Sequence, residues 1–219
     1  MSVDSLKEHV ATAAKRLHAD GLLPGKSGNV SVLCLENELQ EMVITPTAKE
    51  YGKLQAADCV VVNLDGGFDG PNKPSSEWKM HRRLYRDRLD ALAVVHTHSP
   101  WATAFSCSRR VLPFFHYEMG LFGGPVPCAP YELFGTEEFA NRAAEALGNG
   151  PACFLANHGA VTVSDSLERA MELAYALERM CEMFQRTHLF GGDIHTYLTV
   201  EQGEAVVRQF KAYREGRLK

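Results

Sequence analysis

Residues 91–100 read Ala91-Leu92-Ala93-Val94-Val95-His96-Thr97-His98-Ser99-Pro100. A short apolar run that turns polar at its C-terminal end is the pattern of a strand buried on both faces. Ser99-Pro100 then offers a helix cap followed by proline at the first helical position, so the strand passes straight into a helix. On a strand, residues two apart project to the same side. His96 and His98 therefore converge, whereas on a helix they would diverge. Two imidazoles so placed can share one metal ion, and they can equally make separate local hydrogen bonds, the bland reading of an isolated His-x-His.

Upstream, residues 5–19 carry Leu6, Val10, Ala13, Ala14 and Leu17 at helical spacing, and Gly21 and Pro24 stop that helix. Strand-like pieces follow at 30–33, 42–45 and 59–64, the last running into Asp65-Gly66-Gly67. Ser75-Ser76 then precedes a helix over about 77–88, with Trp78, His81, Leu84 and Tyr85 on its inner face. Downstream, 154–163 reads as a strand, an Asn157-His158-Gly159 corner and a second strand. Leu167, Ala170, Met171, Ala174, Leu177, Cys181 and Phe184 trace the stripe of a long helix. Thr199 and Gln202 form a capping box for a last helix reaching about Tyr213. Helices and strands mix irregularly, without clean βαβ repeats. That predicts an α/β fold, a three-layer α/β/α sandwich with a mainly antiparallel central sheet. No repeat or linker appears, so residues 1–219 are read as one domain.

Composition narrows the function classes. The 219 residues are 45% hydrophobic and 23% charged with a formal net charge of -4, which suits a globular chain and excludes a disordered one. Lysine and arginine are scattered, so no nucleic-acid partner is expected. No apolar run approaches the roughly 20 residues that span a bilayer, so no membrane partner is expected either. Asp4, Lys7 and Glu8 leave no room for a secretory core near the N-terminus, and the expected location is cytoplasmic. The six cysteines (Cys34, Cys59, Cys107, Cys128, Cys153, Cys181) form no Cys-x-x-Cys pair, which argues against a thiolate zinc site or a redox dithiol. All six are read as small structural residues.

Other candidates are weak singly. His158, at the end of another strand, is the best third ligand for an ion, since a catalytic zinc site takes three protein ligands and keeps one position open. Glu77 stands where a helix dipole favours a carboxylate, which needs no functional reason. Ser75 and Ser76 can serve an anion at the same helix start. Gly25-Lys26-Ser27-Gly28-Asn29 and Thr45-Pro46-Thr47 read equally as plain turns. Tyr117, after His116, suits a core or an interface. His81 reads as a satisfied core histidine, and His9, His18, His188 and His195 as surface or helix-end residues.

Order converts these signals into a strong one. Gly28-Asn29-Val30-Ser31, Thr45-Pro46-Thr47, Pro74-Ser75-Ser76-Glu77, His96-Thr97-His98, Phe115-His116-Tyr117 and Asn157-His158-Gly159 together resemble the class II aldolase and adducin-head family. Pro127-Cys128-Ala129-Pro130-Tyr131 and Phe134-Gly135-Thr136 extend the resemblance over nearly the whole chain. It implies one Zn2+ per subunit on His96, His98 and His158, with Glu77 as the catalytic carboxylate that can also take the fourth ligand position. It implies a phosphate cradle of Gly28, Asn29, Thr47, Ser75 and Ser76, and an aldehyde-side wall of Phe134 and Tyr213. Tyr117 would be the proton donor, reaching in from a neighbouring subunit of a cyclic homotetramer. The implied reaction is zinc-dependent retro-aldol cleavage of a small-molecule sugar phosphate, a ketose 1-phosphate of the L-fuculose 1-phosphate kind, to dihydroxyacetone phosphate and an aldehyde. The same site type also serves dehydratases and sugar-acid phosphate decarboxylases. Ribulose-phosphate 4-epimerases usually have aspartate where Glu77 stands, and an adducin-like structural head would not need three histidines and Glu77. Two positions depart from the aldolase pattern: Ala48 replaces a glycine, and Lys26 enters the phosphate-side turn, either to touch phosphate or to point into water.

Overall fold

β4 (Ala93–Thr97) is buried along its whole length at the centre of a seven-stranded sheet. The computed structural model describes residues 1–35, 41–187, 189 and 197–217. On one side of β4 lie β1 (Asn29–Cys34), β2 (Glu41–Ile44) and β3 (Val60–Asn63); on the other lie β7 (Gly159–Ser164), β6 (Ala152–Leu155) and β5 (Cys128–Ala129). Every neighbouring pair is antiparallel except β5 with β6, so the sheet is mixed and mainly antiparallel as expected.

Two-residue alternation sorts the side chains into layers. Val30, Val32, Val43, Ala93 and Val95 pack under α1 (Val3–Ala19) and α5 (Leu167–Thr187). Met42, Ile44, Val94, Val161 and Val163 pack under α2 (Trp78–Asp87) and α4 (Glu137–Leu147). A third cluster joins Phe154 to Leu177 and Met180 of α5 and to Ala102 of α3 (Pro100–Ser106). Glu178 of α5 caps α3 directly: the amides of Trp101 and Ala102 each donate to its carboxylate at 2.8 Å. Pro100 has no amide proton to satisfy. α6 (Val200–Arg214) lies on the 3-10 turn Tyr117–Phe122, where Gly120 permits close approach; a Cβ there would sit 2.6 Å from Phe210 Cδ2.

Several details differ from the sequence-based expectation. α2 starts at Trp78, which leaves Glu77 at the N-cap position, and Trp78 is only half-buried. α4 and β5 are additional elements. α4 carries an ordinary signature, with Thr136 accepting from the Phe139 amide and Phe139, Ala140, Ala143 and Leu147 on the buried side. Cys107 is exposed and Cys128 half-buried, so the core reading holds for the other four cysteines. His188 and His195 lie outside the described residues. Among the described residues, no helix is long and apolar enough to cross a membrane.

Gly159 shows how tightly β7 and β4 are fitted. A Cβ at this position would lie 2.3 Å from the Thr97 carbonyl and 3.3 Å from His96 Cε1. Gly159→Ala therefore forces backbone apart rather than turning a side chain aside. Overpacking of that kind costs about 1–3 kcal/mol, and urea unfolding of the variant should report a loss in that range.

Candidate active site

Strand register brings the site together. Val94 and His96 share one face of β4, the face that α2 covers, and His98 continues the alternation just beyond the strand. The His98 amide donates to the Leu22 carbonyl at 3.1 Å, which fixes the backbone there. His158 arrives from the corner between β6 and β7. That corner needs a left-handed residue, and Asn157 supplies it at φ 55°, a conformation asparagine tolerates better than most. The His158 ring stacks on Phe139 at 5.2 Å and meets the edge of Phe134 at 6.4 Å.

Glu77 caps α2 by position but not by side chain. Its carboxylate makes no cap hydrogen bond and turns instead toward the imidazoles. His158 Nε2 lies 2.9 Å from Oε1 and His96 Nε2 lies 3.2 Å from Oε2. His98 Nε2 is 3.0 Å from His96 Nε2, and ligand-capable atoms of all four residues lie within 4.8 Å of one another. His96 Nδ1 donates to the Ala160 carbonyl at 2.9 Å, so its Nε2 presents a lone pair.

The carboxylate and the imidazoles act on one another's charge. Burial works to raise the Glu77 carboxyl, but the neighbouring His96 and His158 outweigh it and hold the group well below the usual carboxylate range. Burial likewise opposes charge on His96, and the Glu77 carboxylate overrides it, raising that imidazole. Burial, reinforced by like charge on His96 and His158, pushes His98 down to about 3. Among the described residues Glu77 Oε1 is buried without a hydrogen bond of acceptable geometry. Imidazole lone pairs facing an anion are a donor set suited to a divalent cation, and three neutral histidines would leave its charge undiminished.

The cluster closes one end of an open cleft of about 430 Å³. Gly28, Asn29, Thr47, Ser75, Ser76 and Phe134 line it beside Glu77, His98 and His158. Lys26 and Ala48 line it too. Gly28, at φ 79°, could not be replaced freely: a Cβ would lie 2.4 Å from Leu23 Cδ2 and 2.6 Å from the His96 carbonyl. The turns at 45–47 and 73–75 are strapped together, Thr47 N to Lys73 O and Ser75 N to Thr45 O, both 3.0 Å. Ala48 adopts φ 58°, a conformation that costs a non-glycine residue roughly 1–2 kcal/mol. The Asn29 side chain is already engaged, donating to Glu77 Oε2 at 2.7 Å and accepting from His81 at 2.5 Å. Tyr117 and Tyr213 do not join the cleft within this chain. Tyr117 is 55% exposed and stacked on Phe210, and Tyr213 is 72% exposed on α6.

Known proteins resemble this chain over most of its length. The family described as Class II Aldolase and Adducin N-terminal domain matches residues 8–185. The chain is 33% identical to a 5-methylthioribulose-1-phosphate/5-deoxyribulose-1-phosphate aldolase of Rhodospirillum rubrum, over 95% of this chain and 92% of that one. It is 38% identical to the L-fuculose phosphate aldolase of Escherichia coli K12, over 88% of each. A solved L-fuculose 1-phosphate aldolase superposes with a TM-score of 0.88 at 32% identity, covering 94% of this chain and 96% of the other.

Metal content tests the cluster. After chelation and reloading with zinc, the parent protein should hold about one equivalent by elemental analysis, and His98→Ala well under half of one. Glu77→Gln should retain most of the metal, because three imidazoles remain.

Proposed function

The chain belongs to the class II aldolase and adducin N-terminal domain family, and on that footing we propose that it cleaves a ketose 1-phosphate to dihydroxyacetone phosphate and an aldehyde. It is an enzyme of the class II aldolase type, a carbon–carbon lyase. The observation that carries the narrower reading is the Glu77, His96, His98 and His158 cluster at the end of a hydroxyl-rimmed cleft. We take residues 1–219 to act as one domain.

In this reading His96, His98 and His158 hold a zinc ion. When bound, that ion supplies positive charge against the negative charge that carbon–carbon cleavage leaves on the ketose oxygens. Glu77 returns a proton to the carbon left electron-rich by cleavage. Its fit to that task is a buried carboxylate on the cleft wall within reach of a bound sugar. Thr47, Ser75 and Ser76 offer hydroxyls to phosphate, and α2 directs its positive end the same way. Phosphate held there anchors the substrate and lends binding energy to orientation of the reacting carbons. Lys26 adds a cation to the same rim. Phe134 gives an apolar wall to the aldehyde end.

Tyr117 acts on the aldehyde-side oxygen, as its proton donor in the carbon–carbon-forming direction, and does so from a neighbouring subunit within a homotetramer. Its position outside its own chain's cleft, with Tyr131, Phe134 and Tyr213 also exposed, supports that assignment. Relatives named for fuculose phosphate and for deoxyribulose or methylthioribulose phosphate leave the sugar to experiment.

A product-resolved assay decides the reaction. L-Fuculose 1-phosphate, 5-deoxyribulose 1-phosphate and 5-methylthioribulose 1-phosphate are supplied in turn, and aldehyde, dehydration product and CO2 are scored separately. Aldehyde with equimolar dihydroxyacetone phosphate is expected from at least one, and dehydration or CO2 alone would replace the aldolase reading. Glu77→Gln should lower turnover by roughly 10²–10⁴-fold.

Subunit mixing tests the shared site. Inactive Tyr117→Phe and Glu77→Gln proteins, combined and allowed to exchange, should regain part of the activity. Recovery of nothing in demonstrably mixed tetramers would return Tyr117 to its own chain.

A further inference from the structure

Behind Glu77, away from the cleft, five side chains form a continuous buried chain of hydrogen bonds. Tyr85 Oη lies 2.7 Å from Ser31 Oγ, and Ser31 Oγ lies 2.7 Å from His81 Nδ1. His81 Nε2 lies 2.5 Å from Asn29 Oδ1, and Asn29 Nδ2 lies 2.7 Å from Glu77 Oε2. None of the five is more than 6% exposed. Two periodicities assemble the chain. Glu77, His81 and Tyr85 recur every four residues along one side of α2, while Asn29 and Ser31 are two apart on the face of β1 that α2 covers.

Its direction follows from one end. A carboxylate can only accept, so the Asn29 amide nitrogen faces Glu77 and the amide oxygen faces His81. His81 Nε2 must then carry the proton that Asn29 Oδ1 accepts. With that proton on Nε2, the neutral ring offers Nδ1 as acceptor to the Ser31 hydroxyl, and Ser31 in turn accepts from Tyr85. Burial favours the neutral ring, pushing the His81 pKa down to about 3. A doubly protonated ring would pair the same groups, and its charge is what burial disfavours.

We propose that His81 is a positioning residue for proton transfer: through Asn29 it pins Glu77 Oε2 as an acceptor and leaves Oε1 as the oxygen that carries the proton. This rests on the reading of Glu77 as the proton carrier. Sequence pattern alone makes His81 a core histidine, which would need only to be paired. A positioning role demands more: the partner it orients must be the reacting group's own neighbour, and here it is.

The test uses the full-length, zinc-loaded protein. His81→Phe keeps a ring and removes both hydrogen bonds. It should lower kcat at least about tenfold, the usual scale for losing such a partner, with metal content unchanged. KM for the ketose 1-phosphate should stay within about threefold, since phosphate contacts are untouched. His81→Gln, which restores a donor and an acceptor, should recover most of kcat. The ring 15N spectrum of the parent should show His81 protonated at Nε2 and bare at Nδ1, with or without zinc. Ser31→Ala serves if His81→Phe does not fold, and should also depress kcat severalfold. A proton found on Nδ1, or kcat within about twofold of the parent in either folded, metal-replete variant, overturns the proposal. Full turnover by Glu77→Gln would instead overturn the reading it rests on, while the ring spectrum stands independently of that reading.

Discussion

The register of β4 between β1 and β7 is the constraint on which the site depends. His96 stands opposite Asn29 on one neighbour and Val161 on the other. Slipping β4 by one residue would send both imidazoles into the α1–α5 layer and bring Val95 and Thr97 to face α2. Hydrophobic pairing forbids the slip, because the two faces of β4 bury different partners: Ala93 and Val95 on one, Val94 on the other. The apolar residues thus hold the polar ones in place. Gly159, with a carbonyl where any Cβ would go, makes the fit between β4 and β7 a close one.

Against that sheet, α2 is clamped at three successive levels. Tyr85 and His81 bond to Ser31, His81 also bonds to Asn29, and Glu77 meets both Asn29 and the histidines. Apolar packing of Met80 and Leu84 supplies the bulk of the contact, and the polar ladder selects one rotation and one height of the helix. The start of α3 is set by a different device, the Glu178 carboxylate on two amides, so the chain leaving His98 has a fixed heading. Both neighbours of the cluster are held by groups that lie outside it.

Much of this was legible in the residues. The buried strand and its paired histidines could be read from 91–100 because strand periodicity is local, and the stripes of α1 and α5 for the same reason. His81 was correctly read as a paired core histidine. Its partners were not readable, since Ser31 and Asn29 lie 50 and 52 positions away and only tertiary packing joins them. Glu77 illustrates the converse: at a helix start the dipole reading is complete in itself, and only the side-chain direction separates a cap from a site carboxylate. Asn29, which the resemblance places with phosphate, lines the cleft and also bonds to Glu77 and His81, partners that no local pattern announces. β5, two residues long at the sheet edge, is too short to leave a pattern at all.

The cleft has two kinds of wall. The imidazoles stand on β4 and on the tight corner beside it, where register dictates position and little can move. The opposite rim is made of turns, from which Lys26, Ser27, Thr47, Ala48 and Ser76 reach solvent together with Phe134. Changes there, such as lysine at 26 or alanine at 48, alter what the rim touches without disturbing strand pairing. Substitution can therefore change what the rim contacts one residue at a time while the floor that carries the imidazoles stays untouched. Relatives bearing names for different sugar phosphates on a shared architecture are what such a division of labour would leave behind.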